Sequence, residues 1–299
     1  DRQARPATLR SEHVPDLMPS MVREVLLIAS LYDSFILEED GRFTDKLFGQ
    51  YMELNLRGPP RITRASTGQE GLALLKSRSF DLVILTTRVP DMSMLELCSR
   101  VREQVPTVPV VHLSFDASGR LVNPDDPARH LVDRTFVWKG DNRLLLVLVK
   151  SIEDMLNVGH DTRAGMVRVI ILVEDSPVEY SSYLAVLYSE ILEQTRSLVA
   201  DSLNHVDRLR RMRARPKILL ATTYEEALAL NEPFQSQVSS WARRSGGTHM
   251  KVEPKNPDRA LQKIARAYQM EFQKLLDVAR STVLFDSVED PISLAGLFF

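Results

Sequence analysis

Short, continuously apolar runs alternate along the chain with longer segments in which apolar residues recur at helical spacing. Runs such as 24–30, 80–85 and 109–113 are typical of strands that are buried on both faces of a parallel sheet. Two further strands are predicted at 61–65 and 134–138. Helices are predicted between the strands, at 35–56, 67–75, 94–104 and 144–156. We therefore expect an α/β fold with a doubly wound, five-stranded parallel sheet and right-handed crossovers.

The alternation starts again after a polar segment at 158–166, whose glycines and charged residues are typical of a linker. A second apolar run, 167–173, is followed by a helical tract from 178 to about 212 and by a strand at 216–221. The pattern predicts that residues 167–230 begin a second α/β unit.

Both ends of the chain depart from this alternation. Residues 1–22 contain three prolines among mixed charges and show no period, so we expect a flexible arm. Residues 231–299 open with a polar stretch, and a helix is predicted at 258–279. We interpret 231–299 as a divergent, largely helical segment, and 23–157 as the first domain.

Composition narrows the class of protein. The 299 residues are 44% hydrophobic and 26% charged, with a net charge of −2, so overall charge favours neither nucleic acid nor an anionic membrane. The single cysteine, Cys98, excludes an intramolecular disulfide and a cysteine-built zinc site. No apolar run approaches the ~18 residues needed to cross a bilayer, and the first residues lack the apolar segment of a signal peptide. These features predict a cytoplasmic protein.

Residues 80–97, with the sequence FDLVILTTRVPDMSMLEL, carry a more specific signal. They resemble the receiver domain of bacterial response regulators, and the resemblance extends over almost all of 23–157. It implies a flavodoxin-like or receiver-like fold and a role in a two-component system or phosphorelay. It also implies a site at the carboxyl edge of the sheet, where open α/β sheets bind ligands.

The family's site has four parts. An acidic pair after the first strand holds Mg²⁺, and an aspartate after the third strand accepts the phosphoryl group. A serine or threonine after the fourth strand and a lysine after the fifth bind the phosphoryl oxygens and neutralise their charge. These four positions are the ones at which this chain can be compared with the family.

The chain departs from the family at two of the four positions. Thr86 lies four residues before Pro90, where the family has its acceptor aspartate, and residues 29–32, Ala-Ser-Leu-Tyr, replace the acidic pair. Ser114 and Lys139 keep the other two positions. Because a neutral hydroxyl does not form an acyl phosphate, the resemblance implies a pseudo-receiver with a degenerate acceptor position. Ser114 and Lys139 then either cap the sheet edge or belong to a surface that binds a partner.

Two aspartates near Thr86 are poor substitutes for the missing acceptor. Asp81 begins the third predicted strand and so lies at the wrong end of it, and Asp91 follows the proline of the loop. We do not expect either residue to accept phosphate.

The second unit opens with the acidic pair that the first unit lacks. Glu174 and Asp175 directly follow an apolar run and are candidate ligands for Mg²⁺. No apolar strand that ends in an aspartate follows at the usual spacing. The nearest candidate acceptor is Asp286, but Pro291 lies five residues later instead of the family's four. The pair belongs either to an interrupted receiver or to a solvated strand end.

A finer resemblance involves residues 30–41, 157–163 and 211–223. These segments look like the tandem receiver-like region that precedes phosphoenolpyruvate synthase or pyruvate phosphate dikinase-type modules in some bacterial proteins. The resemblance covers at most 24–230. The catalytic histidine and nucleotide-grasp domains of those enzymes are not recognisable, so the implied enzyme activity would belong to a part that this chain lacks.

Five arginines are concentrated between residues 208 and 215. Such a cluster suits a phosphate group or an acidic partner. It also suits a solvated helix end, where positive charge is favourable at the negative pole of the helix.

These observations predict a non-catalytic signalling module without a cofactor, which acts through contacts with a protein partner or a second copy and not with nucleic acid or a membrane. The expected contact surface is 134–156, because receivers usually signal through their last strand and helix. Two alternatives stay open. One is a phosphorylatable switch in the second unit, using Glu174, Asp175 and Asp286 with Mg²⁺. The other is a regulatory fragment of a phosphoenolpyruvate-utilising enzyme.

Overall fold

The computed structural model describes residues 16–39, 43–54, 56, 58–116, 127–165, 167–199, 212–244, 246–251 and 281–284. Its amino-terminal part contains a parallel sheet of five strands in the order β2-β1-β3-β4-β5. The strands are β1 Glu24–Ile28, β2 Arg61–Ala65, β3 Leu82–Thr86, β4 Val110–Ser114 and β5 Arg134–Val137. This order confirms the predicted doubly wound sheet.

Helices connect the strands and cover both faces of the sheet. They are α1 Leu31–Glu39, α2 Phe43–Glu53, α3 Gly68–Ser77, α4 Met94–Gln104 and α5 Arg143–Gly165, with a 3₁₀ helix at Pro127–Leu131 before β5. The single helix predicted at 35–56 is instead α1 and α2. The sequence between them contains Gly41, and glycine is a poor helix former. The predicted N-cap of α3 is confirmed, since the Thr67 hydroxyl accepts the backbone N–H of Glu70 at 3.1 Å.

Gly71 allows α3 to pack closely on the sheet, because a Cβ added there would lie 2.2 Å from Ile28 Cδ1. We expect Gly71→Ala to lower the free energy of unfolding by about 1–3 kcal/mol, since Ile28 is buried and cannot shift without disturbing the core. In α2 a Cβ at Gly49 would meet nothing within 4 Å. Gly49→Ala should therefore raise the free energy of unfolding by roughly 0.5–1 kcal/mol. Urea denaturation of both variants checks this, and equal effects would contradict the steric explanation.

Helix α5 extends through most of the predicted linker. It has 23 residues and ends at Gly165, so residues 158–165 are helical. The prediction of a linker is wrong because the polar residues of this stretch are not all exposed. Asp161 is in fact fully buried, and Asn157, one turn earlier, is buried as well.

The described part of the predicted flexible arm packs against α5. The backbone N–H groups of three arm residues donate to α5 side chains: Met18 to Asp161 at 2.9 Å, Ser20 to Asn157 at 2.9 Å and Val22 to Glu153 at 3.2 Å. The side chains of Leu17 and Val22 are buried. The arm from residue 16 onwards is therefore ordered by α5, while residues 1–15 lie outside the described residues.

The second unit contains β6 Val169–Val173, α6 Pro177–Val199, β7 Lys217–Ala221 and α7 Tyr224–Ala229. Strands β6 and β7 pair in parallel as a two-stranded sheet. One hydrophobic cluster contains buried residues of the receiver-like half, such as Tyr51 and Phe136, together with Tyr188 and Ile218 of the second unit. The two parts of the chain therefore share a core.

The C-terminal segment is only partly helical in the described residues. Helix α8 Asn231–Arg244 forms where the sequence becomes polar, and β8 Thr248–Lys251 pairs antiparallel with β9 Ser281–Leu284. Strand β9 therefore does not join β6 as a third parallel strand, as the proposed acceptor segment ending at Asp286 required. Asp286 and the helix predicted at 258–279 lie outside the described residues. Within the described ranges, no helix combines the length and the apolar character needed to cross a bilayer.

Candidate functional site

Two of the predicted site residues lie side by side at the carboxyl edge of the five-stranded sheet. Thr86 ends β3, Ser114 ends β4, and both are fully buried. The Thr86 hydroxyl donates a long hydrogen bond, 3.5 Å, to the carbonyl of Arg88. The Ser114 hydroxyl accepts the backbone N–H of Asp116 at 3.2 Å. Both hydroxyls therefore bond to the loops that follow their own strands.

The place of the acidic pair, after β1, contains no carboxylate. Ala29 is buried and donates its backbone N–H to Ala65, at 3.0 Å. The Ser30 hydroxyl accepts the backbone N–H of Asp33 at the start of α1, also at 3.0 Å. Nowhere in the described residues do three His, Cys, Asp or Glu side chains come together as a metal site. The residues present after β1 do not fit the Mg²⁺ that the receiver fold implies.

The fifth-strand lysine points to the second unit. Lys139 is exposed, and its Nζ donates to the hydroxyl of Ser182 in α6 at 3.4 Å. The structure thus brings Thr86 and Ser114 together and connects Lys139 with a different part of the chain.

The two nearby aspartates have structural roles. Asp81 Oδ2 accepts the backbone N–H groups of Arg23 and Glu24, at 2.8 and 2.9 Å, at the opposite edge of the sheet. The Asp91 carboxylate accepts the N–H groups of Gln69 and Gly68 in the first turn of α3. These hydrogen bonds, with the one from Gln69 as the largest influence, hold the pKa of Asp91 below its usual value. That Asp81 and Asp91 do not accept phosphate stays a prediction.

The edge of β5 is covered by the second unit. The Ser181 hydroxyl accepts the backbone N–H of Val137 at 3.0 Å, and the Tyr180 hydroxyl donates to the carbonyl of Thr135. The rings of Phe136 and Tyr180 meet edge to face, with centroids 5.8 Å apart. Side chains of α6 therefore satisfy backbone groups that an edge strand leaves open.

This coverage corrects the prediction that 134–156 is a free surface for a partner or a second copy. Residues 144–150 of α5 are all buried. Among the large hydrophobic residues of the predicted surface, Leu156 is exposed, at 44%. The surface is occupied by the chain itself. The sequence contains no local signal for this contact, because Tyr180 and Ser181 are more than forty positions away from β5.

A buried ionic network joins α5 to the second unit. Arg215 binds both carboxylate oxygens of Asp154, at 2.7 and 2.9 Å. Asp154 Oδ2 also accepts the Tyr188 hydroxyl and the backbone N–H of Ile218, both at 2.9 Å. Although burial opposes its charge, Arg215 has a raised pKa because Asp154 stabilises the cation, and burial raises the pKa of Tyr188 well above its usual value.

Two further ion pairs complete the network. Lys150 Nζ lies 2.7 Å from Glu153 Oε2, and Lys217 Nζ lies 3.0 Å from Asp161 Oδ2. All four side chains are at most 4% exposed. Burial, followed by the nearby Arg215, lowers the pKa of Lys217. The three acidic and three basic groups of the network balance in charge.

The sequence of α5 contains a signal for this network. The polar α5 residues recur at a spacing that places them on one helix face; they are Lys150, Glu153, Asp154, Asn157 and Asp161. The arginine cluster supplies one of their partners, since Arg215 binds Asp154. Arg213 binds Asp16 of the arm at 2.9 Å. The acidic partner suggested for the cluster is therefore part of the same chain for these two arginines, and the other three lie outside the described residues.

The acidic pair of the second unit lies at the carboxyl end of β6. Glu174 Oε1 accepts the backbone N–H of Ser176 at 3.0 Å, and Asp175 is exposed. Glu179 raises the pKa of Tyr183, and burial and Glu174 contribute further. No third carboxylate accompanies the pair in the part of the chain that the structure describes. Binding of Mg²⁺ by Glu174 and Asp175 stays a prediction.

Residues 36–123 match the family model of the response regulator receiver domain. The response regulator TrrA of Thermotoga maritima, solved with Mg²⁺ and BeF, is 20% identical over 44% of this chain and 98% of its own, with a TM-score of 0.34. The receiver domain of AraT, a response regulator from Geobacillus stearothermophilus, is 23% identical over 46% of this chain and 96% of its own, also with a TM-score of 0.34. The chemotaxis response regulator CheY4 of Vibrio cholerae is 17% identical over 44% of this chain and 99% of its own, with a TM-score of 0.32.

Among curated proteins, none matches the sequence. The family match begins within α1 and includes β4. The strand order β2-β1-β3-β4-β5 is that of the flavodoxin-like sheets to which chemotaxis receivers belong. Residues 36–123 therefore match the response-regulator receiver domain, within a sheet that has the flavodoxin-like strand order.

Proposed function

We propose that this chain is a non-catalytic, cytoplasmic signalling module in which a receiver domain that does not accept phosphate acts through protein contacts. The observation that carries the proposal is the buried Thr86 at the carboxyl end of β3, with Ala29 and Ser30 in place of the acidic pair. A neutral threonine hydroxyl does not form an acyl phosphate. Without carboxylates at positions 29 and 30, the charge of an incoming phosphoryl group is not offset by a cation.

The contact between the receiver domain and the second unit supports the same proposal. Receivers respond to phosphate by a shift between two surface states, and a ligand changes such an equilibrium only when it binds the two states differently. Here α6 covers β5, and Lys139 bonds to Ser182. The surface formed by residues 134–156 is therefore held in one arrangement. A partner protein binds this arrangement or changes it without phosphate.

Phosphorylation tests the proposal directly. We expect the full chain to show no saturable binding of beryllofluoride with Mg²⁺ by calorimetry and no acid-stable or acid-labile label after incubation with acetyl phosphate. Thr86→Asp alone should also stay inactive, because the cation site is still missing. The positive control is the triple variant Thr86→Asp/Ala29→Asp/Ser30→Asp, because it restores both the acceptor and the acidic pair. A label on Thr86 or on a neighbouring carboxylate of the unsubstituted chain would overturn the proposal.

A second candidate function is a phosphorylatable switch in the second unit, which the position of Glu174 and Asp175 at the end of β6 favours. The same beryllofluoride titration distinguishes this switch from a module that does not accept phosphate. Saturable beryllofluoride binding that is lost in Asp175→Ala, but kept in Thr86→Val, would support this switch. A role as a regulatory fragment of a phosphoenolpyruvate-utilising enzyme stays a prediction.

A further inference from the structure

Strand β6 has one edge whose backbone groups are not paired with another described strand. Among the described strands, β6 pairs with β7 alone. Lys217 donates its N–H to the carbonyl of Arg168 at 2.9 Å, and Glu174 donates its N–H to the carbonyl of Ala221 at 3.0 Å. The backbone N–H and C=O groups of successive residues alternate between the two sides of a strand. Those of Arg168 and Glu174 point to β7, and so do those of every second residue between them. The N–H and C=O groups of Val169, Ile171 and Val173 therefore point to the open edge.

The residues of this strand are those of an interior strand. The sequence Val-Ile-Ile-Leu-Val is continuously apolar, and Val173 is 45% exposed. Continuous apolar runs are typical of strands that lie inside a parallel sheet with both faces covered. An apolar open edge is a template for pairing with another chain, and a two-stranded sheet has little stability of its own.

The charges at the two ends of β6 indicate what pairs with it. Arg168 precedes the strand and is exposed, while Glu174 directly follows it. We propose that β6 pairs antiparallel with β6 of a second copy of this chain, centred on Ile171. In this register Arg168 of each copy lies opposite Glu174 of the other, whereas a parallel arrangement would place the two Arg168 side chains together.

The backbone pattern fits the same register. With Ile171 opposite Ile171 of the second copy, Val169 lies opposite Val173. All three residues have outward N–H and C=O groups, so each pair exchanges both hydrogen bonds, as the narrow pairs of an antiparallel ladder do. The result is a four-stranded sheet across a two-fold axis, with the same surface on both subunits. This dimer does not use 134–156, the surface that α6 covers.

The oligomeric state of the full chain tests this pairing. Sedimentation equilibrium over a range of concentrations should show a dimer. Arg168→Glu or Glu174→Arg should raise the dissociation constant about tenfold, because two favourable cross-strand charge pairs become repulsive. The double variant Arg168→Glu/Glu174→Arg should return the dissociation constant to near the original value, since opposite charges face each other again.

A proline variant tests the backbone part of the proposal. The N–H of Ile171 points away from β7, so Ile171→Pro removes a donor of the open edge and leaves the pairing with β7 in place. It should yield a monomer with an unchanged circular dichroism spectrum. Leu31→Lys is the control, because Leu31 is 76% exposed in α1, and it should stay dimeric. A chain that is monomeric at all concentrations, or a dimer that dissociates in Leu31→Lys and not in Ile171→Pro, would overturn the proposal.

Discussion

Asp154→Asn is expected to lower the free energy of unfolding by about 3–5 kcal/mol, because it leaves the Arg215 guanidinium buried without its counter-charge. The Arg215 and Asp154 side chains are 2% and 0% exposed, so water cannot replace the lost carboxylate. The amide also places a donor where Asp154 Oδ2 accepts the Tyr188 hydroxyl and the N–H of Ile218. The part of the loss that comes from Arg215 should be independent of pH, since a guanidinium does not deprotonate in proteins.

Urea denaturation of the full chain measures this loss. Asp16→Asn is the matched control, because Asp16 also pairs with an arginine but its side chain is 87% exposed. That variant should lose at most about 1 kcal/mol. Replacing both partners, as Asp154→Leu with Arg215→Met, should recover much of the loss because no uncompensated charge remains. A loss below about 1 kcal/mol in Asp154→Asn would show that the pair does not hold α5 and β7 together.

Asp161→Asn is expected to lower the free energy of unfolding by about 3 kcal/mol near neutral pH, and by less as the pH rises. The asparagine keeps an oxygen for the backbone N–H of Met18, so the main change is the charge that faces Lys217. Unlike an arginine, a buried lysine can lose its proton. The cost of leaving Lys217 without Asp161 is therefore largest where the amine has to stay charged.

The direction of the pH dependence follows from the pKa of Lys217. Burial lowers this pKa in the folded chain below the ordinary lysine value of 10.5. Between the two pKa values the unfolded chain binds more protons, so the contribution of Lys217 to stability rises with pH in that window. Removing Asp161 lowers the pKa of Lys217 in the folded chain further. The pH range over which the contribution of Lys217 rises therefore extends to lower pH. The deficit of Asp161→Asn relative to the unsubstituted chain should therefore shrink from pH 7 towards pH 10.

Denaturation curves at several pH values check this trend. His160 Nδ1 also lies 3.0 Å from Asp161, so the comparison is repeated in a His160→Gln background. Asp16→Asn serves as the contrast, because the exposed Asp16 pairs with Arg213 and not with Lys217, so its small deficit should stay constant over the same range. A deficit of Asp161→Asn that grows with pH would contradict the assignment of Lys217 as the partner.

The five-stranded parallel sheet was predictable because each strand is a local apolar run and helices alternate with the strands. The right-handed crossover rule restricts the topology but does not fix the strand order. Thr86 and Ser114 were placed correctly for the same reason, since both directly end such runs. The direction of Lys139 was not predictable, because its partner Ser182 belongs to another unit. The helical structure near Asp161 was not predictable from the polar sequence, since its partners Met18 and Lys217 lie far away in sequence.

Helix α5 gives the molecule a mechanical property. Its 23 residues form a rod of about 34 Å, whose first half belongs to the receiver core and whose second half binds the arm and β7. A hinge between the halves would require breaking hydrogen bonds inside this rod. A protein that displaces one half of α5 therefore also moves the other half, because no break in the helix separates them.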